Sequence, residues 1–361
     1  MLTPNNKLRT TNKYQMTKTL QYTLGIILII SGMIKLNDPL GFAYKLEEYY
    51  SADVLDIPFM IKYAFINGFV VSLAEVMLGM AIIVGWKIKE TLSLTMLMFV
   101  FFGFLTFYSA YFNKVTDCGC FGDAIHFTPW QSFTKDMFLM LLTIILWFKK
   151  EDIKPKPFAI LSVMAIIVIG SSVSLYAVSN LPLIDFRPYK IGTDIAKSME
   201  IPEGAKQDIY KDRWFYKVDG EIKEYSTEES PWNIEGAKFV KRETELVEKG
   251  YEAPIHDFAL EKDGEDYTDE ILSRENVLCI VSLNLNLEDE DLAKIKNLIA
   301  NEKDVIIISP SPQEVIETFL DSLGKNLDVY SIDDTTCKTI VRANPGIVRL
   351  KKGIITEKYA L

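Results

Sequence analysis

Five apolar runs occupy the first half of this 361-residue chain, and no other feature restricts its fold as much. Sixteen uncharged residues separate Lys18 from Lys35, among them LGIILIISGMI. The 24 residues between Lys62 and Lys87 hold one charge, Glu75, while 23 uncharged residues separate Glu90 from Lys114 and 28 separate Lys156 from Asp185. The fourth run in chain order, FLMLLTIILWF, begins only after Lys135 and Asp136. A helix needs about 20 residues to cross a bilayer core, and it satisfies its backbone polar groups internally. The first and fourth runs therefore predict helices that extend past their flanking charges. No A-x-A-like cleavage site follows the first run, so it reads as a retained helix rather than a secretory signal.

Charge divides the chain. Residues 1–180 carry 15 Lys+Arg and 12 Asp+Glu, whereas residues 181–361 carry 24 and 37, out of a net charge of −10. An acidic half without a basic stripe argues against a nucleic-acid partner. Lysines and arginines gather in the N-terminal arm (Lys7, Arg9, Lys13, Lys18), in KIKE (Lys87, Lys89) and in KKEDIKPKP (Lys149, Lys150, Lys154, Lys156). The alternate segments, 37–66 and 113–131, are poorer in them. The positive-inside rule then predicts a cytoplasmic N-terminus and, after five crossings, an acidic half on the outside.

The segment VTDCGCFGDA, residues 115–124, lies on that same outer side and holds two of the four cysteines, Cys118 and Cys120, around Gly119. Outside the cytoplasm such a pair can be oxidised and remain so. Three readings stand. A strained C-x-C disulfide suits thiol–disulfide exchange. A structural disulfide would only shape the loop. A metal site would need Cys118, Cys120, Asp123 and His126 to converge. Asp117 and Asp123 weigh against exchange, because their charges disfavour a thiolate. Lys35, Glu75 and Asp136 all fall in the outer half of the predicted bundle, Glu75 roughly 12 Å along its helix at about 1.5 Å per residue. A carboxylate within a span is a functional candidate by default. The plainer reading is an ion pair of Glu75 with Lys35 or Lys135, and both lysines can also snorkel to the interface.

Ser31 to Tyr50 (SGMIKLNDPLGFAYKLEEYY), Glu75 with Gly79 in LAEVMLG, and DCGCFGD (Asp117 to Asp123) resemble the DoxX-like membrane proteins and in particular the methylamine-utilisation MauE family, over about residues 18–150. The resemblance implies a four-helix membrane bundle and, through MauE's link to a thioredoxin-like partner, disulfide maturation of a periplasmic enzyme. It implies Cys118 and Cys120 as the exchange pair, framed by Lys35, Glu75, Gly119, Phe121 and Gly122; Asp136 joins the supporting candidates by its place in the outer half of the bundle. It carries no substrate over to this chain.

Beyond the fifth run, Pro182, Arg187 and Pro188 predict a fixed elbow. FYKVDGEIKEY predicts a hairpin turning at Asp219-Gly220. From Ala253 strands alternate with helices: VLCIVSL, DEDLAKIKNLIA, DVIIIS, a helix capped by Ser311, LDVYSI, DDTTCKTIVRA, GIVRL and GIITEKY. Parallel strands closed by a hairpin predict an α/β sandwich. It resembles the thioredoxin-like fold over about residues 253–361, with Asn344-Pro345 where that fold keeps a cis-proline, beside a candidate partner-binding groove. The departure is chemical: SLNLNLEDED (Ser282 to Asp291) holds no cysteine where a thioredoxin carries Cys-x-x-Cys. Cys279 reads as a packing residue, Cys337 as a packing residue or a lone thiol, and His256 as a backbone-bonded side chain.

The expected organisation is a cytoplasmic arm (1–17), a four-helix DoxX/MauE-like bundle (18–150), a tethering helix (157–180), a connector with a β-hairpin (181–252) and an extracytoplasmic thioredoxin-like domain (253–361). The expected setting is a bacterial cytoplasmic membrane, with the lipid bilayer and an extracytoplasmic redox protein as partners. No metal is assigned, and a quinone is a candidate electron acceptor without a signature of its own. Two functions compete: a component of envelope thiol–disulfide chemistry, and a non-enzymatic scaffold whose outer domain binds an envelope protein.

Overall fold

The computed structural model describes residues 4–361 except 116–118, 120, 126, 219 and 249, with side chains from residue 14 onward. Its helices are α1 (Pro4–Asn37), α2 (Pro39–Tyr50), α3 (Ala64–Val84), α4 (Ile88–Phe112), α5 (Pro129–Phe148), α6 (Ala159–Ser179), α7 (Ile195–Met199), α8 (Thr268–Ser273), α9 (Asp289–Ile299), α10 (Gln313–Leu323) and α11 (Asp334–Ile340). Its strands are β1 (Ile209–Val218), β2 (Glu221–Ser226), β3 (Lys238–Glu248), β4 (Glu261–Lys262), β5 (Glu265–Asp266), β6 (Val277–Val281), β7 (Val305–Ile308), β8 (Asp328–Tyr330), β9 (Gly346–Lys351) and β10 (Ile354–Ala360).

Among the described residues five helices, α1, α3, α4, α5 and α6, are long and apolar enough to cross a membrane. As their composition predicts, α1 runs past Lys18 and Lys35, and α5 takes in Lys135 and Asp136. Small residues let the first pair approach closely: a Cβ on Gly25 would lie 2.7 Å from the Gly79 carbonyl oxygen, and one on Gly79 equally close to Gly25. Such contacts between backbones are what glycine supplies in membrane helix pairs. Leu24, Leu28, Ile82, Leu92, Phe99, Leu139, Leu142 and Leu146 fill the interior between α1, α3, α4 and α5. Helix α6 lies outside this core and packs Ala159 and Val163 against Ala81 and Val84 of α3.

Helix α2 is absent from the sequence reading, which passes over residues 37–66 as a connecting segment. Its start is nonetheless written in Asp38-Pro39-Leu40-Gly41. The Asp38 carboxylate accepts the Gly41 N–H at 2.9 Å, and Pro39 takes the first helical position, the two residue types helix starts favour. Phe42, Leu46, Tyr49 and Tyr50 bury against Val54, Ala64, Leu105 and Val115, so α2 caps the bundle at the end bearing the cysteine loop.

The second half holds a mixed sheet in the order β10-β9-β6-β7-β8. Strands β6, β7 and β8 are parallel, and β9 and β10 run antiparallel beside β6. Side chains of β6 alternate between two cores, Val277, Cys279 and Val281 on one face and Leu278 and Ile280 on the other. Ile295, Ile299, Phe319 and Leu323, from α9 and α10, cover the second face. The first is covered by Ile340 of α11 together with Tyr189 and Ile195, whose segment bonds Gly192 N–H to the Ile355 carbonyl and Ile195 N–H to the Gly353 carbonyl. Ser311 does not cap α10: Pro312 holds that position, and the Ser311 hydroxyl accepts instead from the Leu285 N–H at 3.1 Å. The Asn344–Pro345 bond is cis.

The expected hairpin pairs Val218 with Glu221 across residues 219 and 220, the first of which lies outside the described residues. It is two strands of a three-stranded antiparallel sheet, β2-β1-β3. Cross-strand contacts hold this exposed sheet, Arg242 to Asp212 at 2.6 Å and Tyr216 edge-on to Phe239, and Trp232 from the connection between β2 and β3 stands edge-on to Trp214.

Candidate functional site

Cys118 and Cys120 lie outside the described residues, as does His126, and the exchange, structural and metal readings of that loop concern side chains there. The residues around them are placed. Gly119 is buried with φ +64°, and a Cβ there would fall 2.8 Å from Cγ of Lys45 in α2. The residue between the two cysteines therefore needs glycine twice, for its left-handed backbone and for the lysine stem packed on it. The chain turns with the Gly122 N–H on the Gly119 carbonyl at 3.0 Å, and the Phe121 ring faces down into the bundle. Beyond the loop, Thr128 and Gln131 form a capping box that starts α5, and so fixes where the loop ends.

Beneath Phe121 each of the four bundle helices contributes a polar side chain. Lys35 of α1 donates to Oε2 of Glu75 on α3 at 2.6 Å and to Ser31 Oγ at 2.9 Å, with both partners of the ion pair almost wholly buried. Its ammonium also lies 5.6 Å from the ring centres of Phe42 and Phe102. Lys35 does not snorkel, because a carboxylate, a hydroxyl and two ring faces surround it inside the bundle. On α5, Asp136 accepts from Lys135 at 2.9 Å and from Thr106 of α4 at 3.3 Å, while Lys135 Nζ sits 5.3 Å from the Phe121 ring centre. Glu75 thus pairs with Lys35, and Lys135 with its own neighbour. Ser31, Lys35, Glu75, Phe121, Lys135 and Asp136 line a cavity of about 10 Å³, room for about one water.

A second cluster joins the loop to the α/β unit. Arg342, between α11 and β9 and 6% exposed, directs Nε to both oxygens of Asp38 at 3.1 and 2.9 Å and Nη2 to Oδ2 of Asp123 at 3.0 Å. Its Nη1 donates to the Lys338 carbonyl. Asp38 and Asp123 raise its pKa further, against the lowering effect of burial, so it stays charged. A Cβ on Gly41 would lie 2.8 Å from Nη2, so the glycine that follows the Asp38 cap also makes room for the guanidinium. Beside this clamp the Asn37 amide pairs with both backbone polar groups of Ile184, at 2.8 and 3.0 Å. Arg187 bonds Asp185 and reaches the Thr339 carbonyl at 3.2 Å. Neither Asp38 nor Arg342 was singled out by the sequence reading. The NDPLG stretch held a signal for the first; nothing local marks the second, whose partners lie 304 and 219 residues away.

The remaining candidates sit in the α/β unit. Asn344 is exposed; its Oδ1 accepts from Ser282 Oγ at 2.8 Å and from the Asn284 N–H at 3.2 Å, which closes the loop after β6. Pro345 is buried beside it. Cys279 and Cys337 are buried core residues, and burial pushes each thiol up to about 12. His256 is largely exposed, with Nδ1 3.4 Å from the Ala253 carbonyl. No group of metal-ligating side chains occurs among the described residues.

Residues 13–149 match the family described as methylamine utilisation protein MauE. No curated protein and no solved structure matches the chain. The match takes in α2 and the four bundle helices; it stops before α6 and the α/β unit.

Proposed function

We propose that this protein is a membrane-anchored component of extracytoplasmic thiol–disulfide exchange, with Cys118 and Cys120 as the exchanging pair. The observation that supports this reading is the convergence of polar side chains from all four bundle helices beneath Phe121, the residue that follows Cys120 in the sequence. Two buried carboxylates there are costly to maintain in a bundle that needs only apolar packing. In the exchange, a thiolate of a substrate protein attacks one sulfur of the Cys118–Cys120 disulfide and forms a mixed disulfide. The substrate's second thiolate then displaces it. The substrate dithiol becomes a disulfide, the loop pair takes up two electrons and leaves as a dithiol, and a more oxidising disulfide protein restores it. In this scheme Glu75 and Asp136, both buried beneath Phe121, handle the protons that accompany the exchange. The scheme is drawn between disulfides, and the cavity beneath Phe121 has room for about one water.

In this reading the chain sits in a bacterial cytoplasmic membrane with the N-terminus inside. The sheet order, with β9 and β10 closing a β6–α9–β7 unit, supports a thioredoxin-like domain that has lost its thiols. A second reading is favoured by the loop after β6, which holds no cysteine and in which Ser282 donates to Asn344 from the segment before β9: the domain binds an envelope protein and the C-x-C bond is a staple. Thiol trapping of the purified protein across a glutathione series separates the two. A midpoint at roughly −120 to −230 mV supports exchange, and a bond that resists reduction below about −300 mV makes the scaffold the better account.

A further inference from the structure

We infer that Arg342 is a positioning residue for the loop after α4, through which the α/β unit neutralises Asp123, three residues beyond Cys120 in the sequence. The inference rests on the proposed exchange role of that loop. The loop's own sequence is unfavourable to a thiolate, since Asp123 follows Cys120 by three residues and Asp38 stands beside Asp123 at the bundle end. One guanidinium binds both carboxylates. Nε is shared by the two Asp38 oxygens while Nη2 holds Asp123, a use of several fixed donors on one plane that suits arginine.

The geometry makes Arg342 more than a fastener between two bodies. Asn37–Ile184 and Arg187–Thr339 already tie the α/β unit to the bundle and to the exit of α6. Arg342 alone among these ties reaches into the loop. The charged groups facing Asp123 are Lys35 and Asp38 from α1 and its end, Lys45 from α2, Arg342, and Asp185 with Arg187 from the elbow. Of these, Lys35 is engaged by Glu75, Lys45 by Glu48 and Arg187 by Asp185. The described contacts therefore leave the neutralisation of Asp123 to Arg342. The family match ends at residue 149, so this cation comes from a part of the chain outside the MauE-like region.

The test uses the full chain in detergent, with the pair reduced chemically and its alkylation rate followed from pH 5 to 10; Cys279 and Cys337, both buried, stay unlabelled while the protein is folded. Arg342→Gln leaves Asp38 and Asp123 facing the loop without their cation. Alkylation at neutral pH is expected to fall about tenfold, the profile moving to higher pH. Adding Asp123→Asn to that variant restores most of the rate. A wild-type profile in folded Arg342→Gln overturns the inference. Should that variant fail to fold, Asp123→Asn alone decides: a profile moved to lower pH supports the positioning role, and an unchanged one overturns it. A wild-type bond resistant to reduction would defeat the exchange reading instead, and the profiles of the reduced pair would still report on Arg342.

Discussion

The loop after α4 and the loop after β6 occupy similar places, each at the mouth of a packed scaffold, with opposite contents. The first carries two cysteines and a glycine held at φ +64°, with a buried and a half-buried ion pair in the bundle beneath Phe121. The second carries serine and asparagine, closed by neutral hydrogen bonds to Asn344. Buried charge is costly and neutral loop closure is cheap. Under the proposed exchange, the chemistry belongs to the bundle and its loop, and the α/β unit, with no thiol in the loop after β6, positions it.

The comparison breaks most visibly at the thiols. Cys118→Ser or Cys120→Ser is expected to abolish exchange with a reduced test protein. Cys279→Ala and Cys337→Ala are expected to keep it and to cost about 1–2 kcal/mol each in unfolding free energy as small core truncations. Retained exchange in the first two, or its loss in the second two, would reverse the assignment of the two regions. Next in size is Lys35→Met, which strands a buried carboxylate and should cost about 3–5 kcal/mol in thermal or denaturant unfolding. Glu75→Gln removes the titratable group but keeps an acceptor for Lys35. A stable Glu75→Gln protein with slowed exchange speaks for proton handling, a destabilised one with normal exchange for packing alone, and no change in either counts against both roles. Gly119→Ala meets both the positive φ and the Lys45 stem, and about 1–2 kcal/mol of strain is expected, read as a changed midpoint potential of the pair. Asn344→Ala, which removes the acceptor that closes the loop after β6, should cost about 1 kcal/mol in stability and leave exchange untouched.

Much of this contrast was legible in the amino-acid sequence, and the reason is locality. Five spans and the alternation of strands from Val277 onward follow from composition and period, which each segment carries by itself; the partner of Glu75 stayed open between Lys35 and Lys135, because a contact between two helices is not written in either one. Helix α2 was missed because its twelve residues mix charge with aromatics and sit between two far stronger apolar signals. β3 was missed because its partner β1 precedes it by some twenty residues and its side chains are nearly all exposed, so no apolar alternation marks it. The Arg342 clamp was invisible for the plainest reason: a salt bridge across 304 residues leaves no pattern in either local stretch. Positions Asp38 and Gly41 carried half of it, as a cap and a small residue, without naming the cation they await.

The last contrast is in how the two sides of the joint hold charge. Lys358 of β10 donates to Asp185 at 2.7 Å and to the Tyr189 carbonyl at 2.7 Å, yet its pKa is lowered from 10.5 to about 8. Burial is the largest cause, and Arg187 adds repulsion while already sharing Asp185, whose own pKa is lowered by the two cations against the raising effect of burial. Because the folded value lies below the unfolded one, between about pH 8 and 10.5 the unfolded chain holds a proton that the folded chain has released. Stability contributed by this site therefore rises with pH across that window and is lowest below it. Measured as the difference in Tm between the wild type and Lys358→Met, the wild type should gain on the variant from pH 8 to 10.5, by a few degrees. Parallel curves would mean that Asp185 keeps Lys358 charged throughout. The joint would then consist of paired charges on both sides, like the Arg342 clamp, rather than one fixed clamp and one site that titrates.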